Sequence, residues 1–131
     1  MHTYSHKNYD KLSQKEIDFY LDKMMQRFRA YNIKTNIFRL AYGVVNKKLA
    51  YALQQRNLVP ILWSSDTNDY SKKYRSYKKV LKRLSPGDII LMHDHATKPD
   101  ELEQLIFGIQ MKGYKIVPLK EILKYPSKYP F

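Results

Sequence analysis

Between residues 13 and 123 the apolar residues switch repeatedly between a helical repeat and short extended runs, with polar segments following the extended runs. This alternation constrains the fold more than any other feature. Helix, strand, helix, strand, helix, strand, helix, strand predicts an α/β class with parallel strands, and such folds place ligands in the loops after strand C-termini. A length of 131 residues suits one domain. We expect that domain to span residues 1–124, with an extended tail from Tyr125 to Phe131. The first predicted helix has no strand before it, so the sheet should hold four strands or be completed by others.

The boundaries come from local chemistry. Ser13-Gln14-Lys15-Glu16 reads as a capping box. After it Ile17, Tyr20, Leu21, Met24, Met25, Phe28 and Tyr31 recur at helical spacing, predicting a helix of about 18 residues. Its two methionines suit core filling. Ile33 to Phe38 reads as a strand, Arg39 to Gly43 as the turn leaving it, Val44 to Arg56 as a helix, and Leu58 to Trp63 as a second strand. A polar loop, Asp66 to Tyr70, leads into a very basic helix from Tyr70 to Leu84. Ser85-Pro86-Gly87-Asp88 turns the chain into a strand from Ile89 to Met92. Thr97 and Asp100 form a second box pattern, with Pro99 early in the helix and Leu102, Leu105, Ile106 and Ile109 as its buried stripe. Gly113 closes that helix. Lys115 to Val117 reads as a last strand and Leu119 to Leu123 as a short helix.

Composition removes several classes of function. There is no cysteine, hence no disulfide, thiolate ligand or cysteine nucleophile. No apolar stretch is long enough to cross a bilayer and no signal-peptide core is visible, so the sequence as it stands reads as soluble and without an export signal. Twenty-four Lys and Arg against 12 Asp and Glu leave a net charge of +12. Such a charge favours acidic glycans, phosphate-bearing polymers, lipid headgroups or nucleic acid, and equally fits a plain lysine-rich domain. Lys72, Lys73, Arg75, Lys78 and Lys79, interleaved with Tyr74 and Tyr77, can grip an anionic polymer or form a solvated helix face. No helix-turn-helix, zinc-finger or ribonucleoprotein motif accompanies them, so no specific nucleic-acid role is expected.

The residues able to do chemistry cluster at predicted strand ends. His2 and His6 form an H-x3-H pair whose imidazoles can share one Zn²⁺, Co²⁺ or Ni²⁺ ion. Two histidines can also be exposed near a terminus by chance, and a catalytic ion normally takes three protein ligands. Arg39 can clamp a carboxylate or anion, or make an ordinary surface ion pair. Gly43 permits a turn that presents the Tyr42 backbone N–H to a developing oxyanion. His93, emerging from a buried strand, has the intrinsic pKa of a general acid. Asp66 or Asp69, beside Trp63 in the preceding loop, can hold its far nitrogen, or simply form turns. Leu91 can line a small apolar pocket.

Taken together, these segments resemble the NodB-homology domain of polysaccharide deacetylases, carbohydrate esterase family 4. His2-Thr3-Tyr4-Ser5-His6 looks like the family's metal-binding motif, and Arg39-Leu40-Ala41-Tyr42-Gly43 like the one after it, with Ala41 in place of the usual proline. Trp63 to Tyr70 is similar to the Asp-rich motif, with Tyr70 where tryptophan is usual, and Leu91-Met92-His93 matches the next. The resemblance runs from residue 2 to about residue 123. It implies a partial or distorted (β/α) barrel with parallel strands, lacking the first ones. It also implies deacetylation of an N-acetylglucosamine-containing glycan by one divalent metal, zinc foremost, at the cell envelope or outside the cell.

By the same resemblance, His2 and His6 would hold the metal, Arg39 would orient the base, and Tyr42 would assist the oxyanion. Leu91 would border the acetyl methyl, Asp66 or Asp69 would tune His93, and His93 would be the acid. Trp63 and Tyr70 would line the substrate pocket. The family's Asp-Asp motif, which supplies the base and third ligand, has no counterpart here, because no carboxylate precedes His2. The resemblance therefore implies weak or absent activity for this chain alone, unless a carboxylate such as Asp94, or one from a partner, substitutes. A second copy or another chain would cover the open barrel edge. The alternative is a non-catalytic module binding glycan or anionic polymer.

Overall fold

The computed structural model describes residues 1–71 and 73–124. The residues group into two compact units, Met1–Leu62 and the part from Trp63 onward. The tail expected from Tyr125 to Phe131, and Lys72 of the basic run, lie outside the described residues.

In the first unit, helix α1 (Gln14–Ala30) starts at the Ser13 capping box, whose two reciprocal bonds are both present. Its helical repeat buries Ile17, Leu21 and Met24, whereas Tyr31 caps the C-terminus and is exposed. Strand β1 covers only Ile37–Arg39, not the six residues from Ile33 to Phe38. The reason lies in how α1 ends. Asn32 adopts a left-handed conformation (φ 53°), its N–H bonds to Arg29 O, and the Ile33 N–H returns to Phe28 O. That is a Schellman exit, which uses Ile33 for helix termination.

Helix α2 (Lys47–Gln55) is likewise shorter than the expected Val44 to Arg56, because the Asn46 side chain accepts from the Leu49 N–H at 2.8 Å and so sets the start. Asn57 (φ 51°) ends it by the same exit, with Leu58 N–H bonded to Leu53 O. Strand β2 is therefore Val59–Ile61, paired in parallel with β1 so that Phe38 faces Pro60. Phe38 is fully buried among Tyr9, Leu12, Ile17, Leu21, Met24, Leu40, Leu49 and Leu53. Arg56 ties α2 to α1 through Asp18 and Asp22, both at 2.8 Å.

In the second unit, β3 (Ser65–Asp66) pairs in parallel with β4 (Ile90–Leu91). Among the described residues the parallel strands thus form two two-stranded sheets rather than one of four. Helix α3 is Tyr77–Arg83 and does not begin at Tyr70, because the Ser76 hydroxyl accepts from the Lys79 N–H and caps it. Helix α4 (Pro99–Met111) is capped by Lys98 without a side-chain bond, not by Thr97, whose hydroxyl is engaged elsewhere. Of its expected stripe only Leu105 and Ile109 are buried, packed with Val80, while Leu102 and Ile106 face solvent. Gly113 (φ 80°) closes α4 in a third Schellman exit. Lys115 to Val117 forms no strand, and α5 is Leu119–Ile122. Among the described residues no helix is long and apolar enough to cross a membrane.

Candidate functional site

In the first unit the chemistry gathers beside β1. The Met1 backbone nitrogen donates to Ile37 O (2.5 Å), and the Arg39 N–H donates to Met1 O (2.8 Å), so the first residue runs parallel to the strand. This lays His2 against the strand's end, where its Nδ1 lies 2.9 Å from Arg39 O. A carbonyl only accepts, so Nδ1 carries the hydrogen and Nε2 keeps its lone pair. That Nε2 is buried and has no hydrogen-bond partner among the described residues. Burial lowers the His2 pKa, outweighing the bond to Arg39 O, and the nearby Arg39 and His6 push it the same way. The ring is therefore neutral at neutral pH, the form in which imidazole binds metal.

The His6 ring stands 5.0 Å from that of His2, edge to face, and the Tyr42 ring stands 5.0 Å from His6 on the same terms. His6 and Tyr42 share a second property. Among the described residues they are the only positive-φ residues (51° and 57°) that are neither glycine nor asparagine. Backbone of that kind costs about 1–3 kcal/mol for ordinary side chains and gathers where function needs it. Tyr42 and Gly43 (φ 65°) belong to a 3-10 turn, Ala41–Gly43, directly after Arg39 and Leu40. The Arg39 guanidinium is half-buried, and desolvation lowers its pKa without discharging it.

A buried imidazole nitrogen with its lone pair free, beside a second imidazole, fits a divalent metal. The fit stops at two ligands. Among the described residues no group of three or more His, Asp or Glu side chains gathers closely enough to hold an ion.

In the second unit the centre is Asp69, which is 1% exposed. One carboxylate oxygen accepts from His93 Nδ1 at 2.7 Å; the other accepts from the His93 backbone N–H at 2.6 Å and from the Thr97 hydroxyl. Burial alone would raise the Asp69 pKa, but the bonds from Thr97 and His93 outweigh it and hold the carboxyl below its ordinary value. An ionised Asp69 fixes the hydrogen of His93 on Nδ1 and leaves Nε2 as the working atom. Tyr70 lies edge-on to His93 at 5.5 Å and His95 at 5.8 Å.

Asp66 does not reach His93. Its carboxylate accepts from the Asn68 N–H at 2.7 Å, closing a local Asx turn. Leu91 is buried, and its carbonyl accepts from both the N–H and the hydroxyl of buried Thr67, which locks the loop to β4. Trp63 is half-buried ahead of β3. Asp94 is fully exposed and, among the described residues, bonded only to its neighbour His95, so it does not act as a buried carboxylate.

The basic run separates into two parts. Lys73, Lys78 and Lys79 are exposed. Arg75 is not a surface contact: its guanidinium donates inward to Asp69 O, Ala96 O and Glu101. Sequence reasoning missed this role, as it missed Thr67 and the bond from Thr97 to Asp69. The one available signal was a lone arginine, with its planar fork of donors, within a lysine run.

A family model described as polysaccharide deacetylase matches residues 1–61, the stretch that carries His2, His6 and Arg39. Over 130 residues the chain is 32% identical to a peptidoglycan-N-acetylglucosamine deacetylase of Listeria monocytogenes serotype 1/2a, covering 92% of this chain and 26% of that protein. Among solved structures, a CE4 family pseudoenzyme from Bacillus anthracis matches with a TM-score of 0.82 and 28% identity, over 93% of this chain and 44% of its own. A family 4 carbohydrate esterase from Streptomyces lividans, solved with acetate, matches with a TM-score of 0.73 at 23% identity, over 91% and 65%. The latter likeness concerns fold alone. The chain thus spans about a quarter of the length of the Listeria relative. Its fold class is that of these structures, a distorted (β/α) barrel with parallel strands, of which it carries a part. By these matches the chain is similar to polysaccharide deacetylases, with its first 61 residues matching the family model.

Proposed function

We propose that the chain takes part in metal-dependent removal of acetyl groups from an N-acetylglucosamine-containing glycan. The observation that carries this reading is the buried Nε2 of His2, unpaired and set beside His6. His2 and His6 would hold the ion, which when bound would polarise the acetamide carbonyl as a Lewis acid. The half-buried Arg39 supplies fixed positive charge at the end of β1, and the Tyr42 backbone serves the developing oxyanion. The second unit by itself offers a proton donor: with Asp69 on its Nδ1, His93 can pass a proton from Nε2 to an amine leaving group as water adds to the acyl carbon and the amide C–N bond breaks, giving acetate and free amine. Leu91 contributes apolar wall for the acetyl methyl. A peptidoglycan-like substrate, as named for the Listeria relative, would place the action at the cell envelope. With two ligands, metal binding and turnover should both be weak.

Calorimetric titration with Zn²⁺ tests this. One ion per chain is expected, with affinity reduced by at least about a hundredfold in His2→Ala, beyond what losing only a supporting residue costs. His95→Ala, at an exposed position, should bind like the parent. Absence of binding, or equal loss in both variants, contradicts the assignment.

A second reading is non-catalytic binding of an anionic polymer, supported by the exposed Lys73, Lys78 and Lys79 and by the pseudoenzyme among the neighbours. Replacing these three lysines by glutamine should weaken retention on polyphosphate at low salt several-fold. Unchanged retention removes that reading.

A further inference from the structure

We propose that Arg75 and Thr97 are positioning residues that set the geometry of the Asp69–His93 pair. The proposal rests on the deacetylase reading for what the pair does, but its test does not depend on that reading.

The guanidinium of Arg75 joins two backbone carbonyls and one side-chain carboxylate from three separate stretches of the chain. Nε and Nη2 both donate to Asp69 O, at 3.0 and 2.5 Å. Nη2 also donates to Ala96 O at 3.0 Å, and Nη1 reaches the Glu101 carboxylate at 3.3 Å in the first turn of α4. The Arg75 and Glu101 side chains are only 24% and 20% exposed, so solvent competes weakly for these bonds. Ala96 lies in a tight turn in which its own N–H and that of Thr97 return to His93 O, at 3.1 and 2.9 Å. One planar group therefore fixes the backbone of the acid's partner and the turn that carries the acid. A lysine ammonium, being a point charge without a planar fork, does not reproduce this set of directions.

Thr97 acts on the carboxylate itself. Its hydroxyl and the His93 N–H share one oxygen of Asp69, leaving the other to face Nδ1. This arrangement fixes the rotation of the carboxylate about its last bond, and so fixes which imidazole nitrogen carries hydrogen. The sequence pattern assigned Thr97 to a capping box. It gives up that role, leaving α4 without a side-chain cap.

The test reads the Nδ1 proton of His93 by nitrogen-edited proton NMR in the full chain, without metal or substrate, alongside thermal unfolding. In the parent that proton should be visible and protected. In Thr97→Val its exchange with water should accelerate by on the order of tenfold or more, with folding retained, as expected when one bond to a charged group is lost. Thr97→Ser, which keeps the hydroxyl, should restore the parent signal. Arg75→Lys should lose it. A folded Thr97→Val or Arg75→Lys variant with the parent exchange rate overturns the proposal for that residue. Because no turnover is measured, a chain that releases no acetate still gives a decisive result here.

Discussion

Asp69→Ala is expected to be the most damaging single substitution in the second unit, destabilising the chain by about 3–5 kcal/mol, because each buried donor left without its acceptor costs about 1–3 kcal/mol. The carboxylate accepts three hydrogen bonds, and alanine leaves the His93 N–H, the His93 Nδ1–H and the Thr97 hydroxyl without their acceptor. Asp69→Asn separates stability from chemistry. It keeps the shape, but an amide nitrogen facing Nδ1 donates instead of accepting and drives His93 to the opposite tautomer, with its hydrogen on Nε2. If His93 is the acid, turnover should fall on the order of a hundred- to ten-thousandfold, the range that positioned general acids supply. The pH dependence has a definite sign. The Asp69 pKa is lower in the folded chain than its ordinary 3.8, so the unfolded chain binds more protons in that window. Its stabilisation is complete above the ordinary value and is lost as pH falls through the folded one. Parent unfolding curves should therefore steepen in their loss of stability below that point, and Asp69→Asn should flatten this part of the profile.

Phe38→Ala should be comparably severe in the first unit, at about 3–5 kcal/mol. The ring is fully buried in the centre of β1 and contacts elements from both helices, with Tyr9 edge-on at 6.5 Å. Its backbone neighbours are the residues that hold the start of the chain: Ile37 O and Arg39 N–H bond to Met1, and Arg39 O holds His2. A cavity at Phe38 should therefore reach the histidine pair. The expected result is a large drop in the unfolding midpoint together with weaker Zn²⁺ binding, although residue 38 touches no metal ligand directly in the proposed scheme. Phe38→Leu, which retains most of the volume, should cost far less on both counts.

How much of this was readable beforehand depended on whether the deciding interaction was local. The α1 start was legible because Ser13 and Glu16 carry both halves of their own cap. The strands were overestimated because Asn32 and Asn57 take left-handed conformations, and the residue after each is used to end a helix. An asparagine followed by an apolar residue signals such an exit, but the same apolar residue also looks like strand. Asp66 and Asp69 were indistinguishable as loop carboxylates, and the geometry separates them: one closes a turn with Asn68, the other meets His93. An Asp-x-Asn spacing could have marked Asp66 as the turn former. Thr97 and Arg75 were misread for a common reason. Each has a plausible local role, as cap or surface cation, and each has its side chain drawn inward by groups many residues away. Contacts at that separation leave no periodicity in one sequence.

The most direct test of the deacetylation reading is acetate release from N-acetylglucosamine oligomers by the Zn²⁺-supplemented chain, compared with its metal-free form and with His93→Ala. Slow release that requires the metal and disappears in His93→Ala is the predicted result. No release across the neutral pH range by a chain that binds the ion, or release undiminished in His93→Ala, would contradict it.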